Sequence, residues 1–142
     1  MARRSRAREV ALQTLYQRDQ NRTFTQADAM AFLERRLPHS ELAELGKSLY
    51  LGTLSHLPEI DARLAKVADN WSVERMAVVD RNVLRLGIFE LYHGPSTPFK
   101  VVLDEAIELA KRYGTEESPS FVNGILDRIA NEKQDVEVTE TK

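Results

Sequence analysis

Apolar residues recur along most of the chain at intervals of three and four positions, a pattern typical of amphipathic α-helices. In the first such segment the stripe expected to be buried contains Ala7, Val10, Ala11, Thr14 and Leu15. The sequence shows no convincing strand-type alternation of apolar and polar residues. We therefore predict an all-α protein of about seven helices, joined by short connections and packed as two helical sub-bundles.

Capping residues and helix breakers divide this pattern into segments. The predicted helices cover residues 4–19, 26–37, 40 to about 54, 59–68, 77–93, 99–113 and 118–131, with a short turn at 73–76. Thr25 is suited to cap the second helix, and Pro58 to begin the fourth. Gly46 and Gly52 lie inside the third helix, where glycine costs about 1 kcal/mol relative to alanine. We expect another helix to pack closely against them.

The domain organisation follows from length and composition. A chain of 142 residues, of which 42% are hydrophobic, can bury one core without disulfide bonds. We expect a single domain at 1–131, with sub-bundles at approximately 1–57 and 58–131. Residues 132–142 are acidic and poor in apolar side chains, so we expect a disordered tail there.

Several classes of protein are excluded. The sequence has no cysteine, which excludes a disulfide framework and a cysteine-based zinc site. No apolar run approaches the roughly 20 residues of a membrane-spanning helix. The arginines near the amino terminus are not followed by the apolar segment of a secretory signal. We therefore expect no membrane association and a cytoplasmic location.

The sequence also lacks the motifs of common catalytic sites. No glycine-rich phosphate-binding loop is present. His39, His56 and His93 lie far apart on different predicted elements, and we interpret each as a surface or helix-end residue rather than a metal ligand. Glu105 and Glu108 are one helical turn apart, which we interpret as a solvated helix face. We predict a non-catalytic binding protein with no cofactor and no metal.

Charge is unevenly distributed along the chain. Residues 1–18 contain five arginines against one glutamate, a net charge of +4, whereas the whole chain has −2, so the remainder carries −6. A basic end on an acidic body is expected when one patch meets a polyanion. The alternative is a solvated amino terminus without a partner, and charge alone does not separate the two.

A second face of the first helix carries side chains suited to RNA. At about 100° per residue, Arg6, Glu9, Gln13 and Tyr16 share a face opposite the apolar stripe. Arginine can hold phosphates, an aromatic ring can stack on a base, and Gln13 can contact a base edge. The alternative is that Tyr16 packs with Leu12 on a neighbouring helix. Both interpretations remain open from the pattern.

The last predicted helix contains one aromatic residue at the edge of its apolar stripe. Phe121 lies about 100° from Val122, in the first turn and near Gly124 and Arg128. A ring there could stack on a base, beside a helix amino terminus that attracts phosphate. It could equally fill a cleft between two helices.

Several sequence blocks resemble the NusB family, and together they are specific. They are RARE at 6–9, ALQ at 11–13, LY at 15–16, VDR at 79–81, LRLG at 84–87, EL at 90–91, DEAIELAK at 104–111 and FVNGIL at 121–126. The resemblance extends over residues 3–130 in the family's order. The segment at 20–70 is similar mainly in its helical pattern.

The resemblance implies a transcription antitermination factor with an all-α fold of two sub-bundles. It implies pairing with NusE, a small-subunit ribosomal protein, and binding of the single-stranded boxA element of nascent RNA, chiefly ribosomal RNA transcripts. It further implies association with an RNA polymerase antitermination complex. A helical bundle of this type could also form a homodimer. The competing hypothesis is a protein-only helical scaffold whose arginines bind an acidic partner.

The resemblance also assigns residues. Those implied at the RNA face are Arg4, Arg6, Arg8, Tyr16 and Phe121. Ser5 interrupts the arginine run, which could alter the affinity for boxA. Contacts to NusE are implied for Asp80 and Glu74, although acidic residues are also ordinary at helix amino termini.

Overall fold

The computed structural model describes residues 3–69, 72–94 and 97–141, with side chains to residue 133. All regular elements of this part of the chain are helical, which confirms the predicted all-α class. They are α1 (Arg3–Gln20), α2 (Gln26–Arg36), α3 (Ser40–Ser55), α4 (Leu57–Val67), a single 3₁₀ turn (Val73–Arg75), α5 (Val78–Tyr92), α6 (Phe99–Tyr113) and α7 (Ser118–Thr141). None of the described helices combines the length and apolar character needed to cross a membrane.

Local sequence signals account for the helix starts. The Asp28 backbone N–H donates to the Thr25 hydroxyl at 3.0 Å, and the Thr25 backbone N–H donates to the Asp28 carboxylate at 3.0 Å. This reciprocal pair is a capping box, and it satisfies two donors at the start of α2. Pro58 lies in the first turn of α4, where a missing N–H costs no helical hydrogen bond.

Helix α5 is the centre of the molecule. All residues from 82 to 90 are buried, and the helix contacts α1, α3, α4, α6 and α7. Gly52 of α3 faces the Phe89 ring, and a Cβ at this position would collide with it. A Cβ at Gly46 would lie 2.7 Å from Leu37. The two glycines therefore allow close packing, as we expected from their unfavourable helix propensity.

A partly buried ionic network fixes the end of α1 on α5. One carboxylate oxygen of Asp19 accepts hydrogen bonds from Arg81 (3.1 and 3.2 Å), from Asn82 (2.9 Å) and from Arg85 (3.1 Å). Arg85 also binds the Asp61 carboxylate of α4 through two hydrogen bonds of 2.9 Å. Because donors from α5 reach acceptors on both α1 and α4, the network sets the register of these three helices.

The chain beyond residue 131 differs from the expectation of a disordered tail. The backbone of α7 continues as helix to Thr141. Two contacts hold the first turn of this extension: Lys66 pairs with Glu132 at 2.5 Å, and the Lys133 ammonium donates to the Leu91 carbonyl at 2.6 Å. Low apolar content alone did not reveal these polar attachments. The division into sub-bundles near residue 58 stays a prediction, and the buried apolar residues of the described chain form one cluster.

Candidate RNA-binding surface

The outer face of α1 carries an aromatic ring at the surface. Tyr16 is 42% exposed, whereas Leu12, one turn earlier, is 2% exposed. Leu12 therefore packs in the core, whereas the Tyr16 ring stays at the surface. Tyr16 lines a cleft of about 400 Å³, here called the Tyr16 cleft. Its other lining residues are Leu12, Gln13, Gln17, Phe32, Val79 and Tyr113.

Gln13 is held in place by a chain of hydrogen bonds. Its amide nitrogen donates to the Tyr113 hydroxyl at 2.9 Å, and that hydroxyl donates to the Glu9 carboxylate at 2.8 Å. Among the described residues, the Gln13 amide oxygen is buried without a hydrogen-bond partner. Gln13 thus retains one acceptor in the wall of the cleft. Tyr113 comes from α6, 100 positions further along the chain, and no pattern within either helix predicts that the two side chains meet.

Glu9 is the anchor of this chain of contacts. Its carboxylate accepts from Tyr113, from Arg112 at 2.6 Å and from Arg6. Burial acts to raise the pKa of Glu9, but the hydrogen bonds from Tyr113, Arg112 and Arg6 outweigh it and hold the pKa below its usual value. An ionised Glu9 therefore holds Arg6, Arg112 and Tyr113, and of these three Tyr113 lines the Tyr16 cleft.

The three arginines predicted to meet RNA occupy different environments. Arg4 is exposed at the start of α1. Arg6 has a side chain that is 36% exposed and pairs with Glu9. Arg8 is only 5% exposed, and its guanidinium donates two hydrogen bonds to Glu90, of 2.8 and 2.9 Å.

Arg8 is therefore an interior residue, and the prediction that it lies on the RNA face is corrected by its burial. Its position adjoins the apolar stripe of α1, and its counter-charges come from other helices: Glu90 of α5 and, at 3.7 Å, Glu105 of α6. The Ser5 hydroxyl also faces α6 and donates to the Glu105 carboxylate at 2.5 Å. Glu105, interpreted above as part of a solvated face, is thus an internal partner of α1. The pattern of α1 alone cannot predict that the carboxylates pairing with Arg8 come from helices distant in sequence.

Phe121 is half-buried in the first turn of α7 and separates two depressions. One has a volume of about 330 Å³ and includes Asp69, Gly124 and Arg128. The other, of about 490 Å³, includes Asp80 and is here called the Phe121 cleft. Its other lining residues are Arg75, Met76, Ala77, Glu117 and Phe121. The ring packs against the core and also borders open space, so its stacking on a base stays a prediction.

The two acidic residues predicted to meet a partner lie next to this cleft. Asp80 is in the first turn of α5, and among the described residues one of its carboxylate oxygens is buried without a hydrogen-bond partner. Glu74 is exposed in the 3₁₀ turn, and its backbone carbonyl accepts from Arg81 at 3.3 Å. Because Val79 lines the Tyr16 cleft and Asp80 the Phe121 cleft, the two clefts flank the first turn of α5.

Two histidines that are distant in sequence meet in the structure. The rings of His56 and His93 stack with centroids 3.7 Å apart, and Glu59 lies 2.8 Å from His93 Nε2. The interpretation of isolated histidines is therefore wrong for this pair. His56 ends α3 and His93 ends α5, so only the packing of the two helices reveals their proximity.

Comparison with known proteins agrees with this fold. The model of the NusB family matches residues 5–131. The transcription antitermination protein NusB of Thermodesulfovibrio yellowstonii is 40% identical over 140 residues, covering 92% of this chain and 93% of its own length. The structure of T. maritima NusB has a TM-score of 0.83 at 40% identity, covering 96% of this chain and 98% of that one.

A further solved structure contains both a protein partner and RNA. One chain of the crystal structure of antitermination factors NusB and NusE in complex with dsRNA has a TM-score of 0.83 at 30% identity, covering 93% of this chain and 98% of that chain. The fold and these relatives define the class: a transcription antitermination factor, not an enzyme. The chain belongs to the NusB family.

Proposed function

We propose that this chain is an RNA-binding adaptor that pairs with NusE and holds the single-stranded boxA element of nascent ribosomal RNA transcripts. The complex would then join the antitermination assembly of RNA polymerase. Family membership supports the proposal, and so does the similarity to a NusB chain solved in complex with NusE and dsRNA. The preference for unpaired RNA rests on the exposed Tyr16 ring alone. The observation that carries it is the exposed Tyr16 ring, set in a cleft on the helix that bears the basic end of the chain.

The Tyr16 cleft supplies contacts to unpaired bases. An exposed ring can stack on a base, an interaction of about 1–3 kcal/mol that a paired base does not offer. Gln13 would add a hydrogen bond to a base edge through its NH₂ group, which donates only one of its two N–H bonds to Tyr113. On the other side of α5, Phe121 offers a second ring.

Phosphates would be held by Arg4 and Arg6 and not by Arg8. Arg4 is exposed, and Arg6 is oriented by Glu9 at the edge of the same chain of contacts that holds Tyr113. Arg8 would have to break two buried hydrogen bonds to Glu90 before it reached a phosphate. Its role in the proposal is to hold α1 against α5.

The first turn of α5 is the proposed contact for NusE. Asp80 is only partly buried and lines the Phe121 cleft, so a donor from a partner protein can approach its carboxylate. Glu74 extends this acidic surface on the adjacent 3₁₀ turn. The first turn of α5 lies between the two clefts. A protein bound there would lie beside the RNA and would strengthen the binding of the RNA.

A second candidate follows from the apolar lining of the Tyr16 cleft. Leu12, Phe32 and Val79 would suit a protein side chain, as in a protein-only scaffold or a second copy of this chain. Binding of labelled boxA RNA with and without NusE, against a scrambled RNA of equal length, separates the candidates. We expect preference for boxA and tighter binding with NusE. A NusE complex with no RNA affinity and no sensitivity to nuclease would favour the scaffold.

A further inference from the structure

A cluster of two imidazoles and one carboxylate lies where α3, α4 and α5 meet. His56 connects α3 to α4, Glu59 lies in the first turn of α4, and His93 follows the end of α5. Glu59 Oε2 is 2.8 Å from His93 Nε2 and 3.6 Å from His56 Nδ1. One ligand atom from each residue lies within 4.8 Å of the other two. The side chains are 27–39% exposed, so an ion can reach them from solvent.

The donor set suits a borderline divalent cation such as Zn²⁺. Zinc binds imidazole nitrogen and carboxylate oxygen, and three protein ligands leave one position for water. The carboxyl ends of α3 and α5 both point at the cluster, and their helix dipoles favour a cation there.

Three features of the cluster oppose a cation: the Arg63 guanidinium, the amino terminus of α4 and the parallel planes of the two rings. Arg63 lies 3.3 Å from Glu59 Oε1, so it occupies the oxygen that the histidines do not face. Its guanidinium is also placed over the Tyr92 ring, 3.8 Å from the ring centroid. The amino terminus of α4 contributes a positive dipole end. The two imidazole planes are 6° from parallel, so one ring must turn about its Cβ–Cγ bond to direct both lone pairs at one ion.

We propose that His56, Glu59 and His93 form a binding site for one Zn²⁺ ion, which ties the α3–α4 junction to the end of α5. The site does not rest on the proposed RNA function. It lies at the opposite end of α5 from Asp80, about 20 Å away at 1.5 Å per helical residue. Without the metal, the same residues form a hydrogen-bonded His–Glu pair beside a second histidine.

The test is titration of the full-length chain with Zn²⁺, followed by calorimetry and by NMR of the histidine rings. We expect one Zn²⁺ per chain, with the ring signals of His56 and His93 shifted and that of His39 unchanged. His56→Gln, Glu59→Gln and His93→Gln should each weaken binding at least tenfold, because loss of even an outer-shell contact costs 10- to 100-fold. His39→Gln is the matched control, since His39 is exposed and distant from the cluster.

A second measurement guards against variants that fail to fold. Zn²⁺ that binds only the native state raises Tm by mass action. The rise should occur in the original chain and in His39→Gln, and should be absent in His93→Gln with its metal-free Tm preserved. Absence of stoichiometric Zn²⁺ binding overturns the proposal. So does binding that survives His56→Gln and His93→Gln, or that His39→Gln weakens equally.

Discussion

At the scale of single residues, the arginines near the start of α1 have two different roles, one at the surface and one in the interior. Arg4 and Arg6 face outward, whereas Arg8 is buried against Glu90 and approaches Glu105. A buried ion pair contributes little compared with an apolar replacement of both partners, but removal of one partner leaves an uncompensated charge. Arg8 is therefore a structural residue whose loss would be felt as instability.

This assignment predicts the stability of an Arg8 variant. Arg8→Met should lower the free energy of unfolding by about 3–5 kcal/mol, because Glu90 remains buried without its cation. Urea unfolding measures the change. The double variant Arg8→Met/Glu90→Leu should recover most of the loss. Arg128→Met is the control, because Arg128 pairs with Asp69 at the surface, and it should change stability little. A loss no greater for Arg8→Met than for Arg128→Met would refute the structural role.

At the scale of helices, the contact of α3 with α5 depends on Gly52. The Phe89 ring occupies the space that a side chain at position 52 would need, and Phe89 belongs to the central helix. The helix-propensity cost of this glycine is therefore offset by close packing of two elements. Gly124 on α7 has no atom within 4 Å of a Cβ at its position, so it provides a direct comparison.

The two glycines predict opposite effects of the same substitution. Gly52→Ala should destabilise the protein by about 1–3 kcal/mol, because the added methyl group overpacks the α3–α5 contact. Gly124→Ala should be neutral or stabilising by up to about 1 kcal/mol, since alanine favours the helix. Thermal unfolding of both variants gives the comparison. Equal effects would contradict the proposed packing role of Gly52.

The helices themselves could be predicted well from sequence, because their signals are local. The capping box of Thr25, the position of Pro58 and the apolar character of α5 each act within one turn or one helix. The α1 wheel placed Tyr16 away from the apolar stripe, but it left open whether the ring packs with Leu12 on a neighbouring helix; the structure shows the ring exposed. The extension of α7 was missed because Lys66 and Leu91, which hold its first turn, come from other helices.

The difference between local signals and contacts from other helices also decides which part of the candidate site could be predicted. The face of Tyr16 follows from the period of one helix. The support of Gln13 by Tyr113, the burial of Arg8 by Glu90 and the meeting of His56 with His93 all join residues from different helices. No local pattern carries that information, so composition and spacing could not give it.

At the scale of the whole molecule, α5 connects the proposed functions. Its first turn separates the Tyr16 and Phe121 clefts, and its last residues lead to the histidine cluster. The basic end of the chain lies on α1, which the Asp19 network and the Arg8 pair fix against α5. Charge and aromatic surface are thus held on a rigid frame, as a stable RNA surface requires.

The central claim is that arginines at the start of α1 hold phosphates while Tyr16 stacks on a base. The most direct measurement is boxA RNA affinity in the presence of NusE, as a function of salt, for Arg6→Ala, Tyr16→Ala and Tyr16→Phe. Arg22→Ala is the control, because Arg22 is an exposed arginine in the α1–α2 connection, at the other end of α1 from Arg6. Each phosphate neutralised on single-stranded RNA contributes about −0.7 to the log–log slope. Arg6→Ala should therefore flatten the slope by about 0.7, and Arg22→Ala should leave it unchanged.

Tyr16→Ala should weaken binding by about 5- to 150-fold, the equivalent of 1–3 kcal/mol of stacking, with the slope preserved, whereas Tyr16→Phe should retain most of the affinity. An unchanged affinity in Tyr16→Ala, or an unchanged slope in Arg6→Ala, would contradict the account.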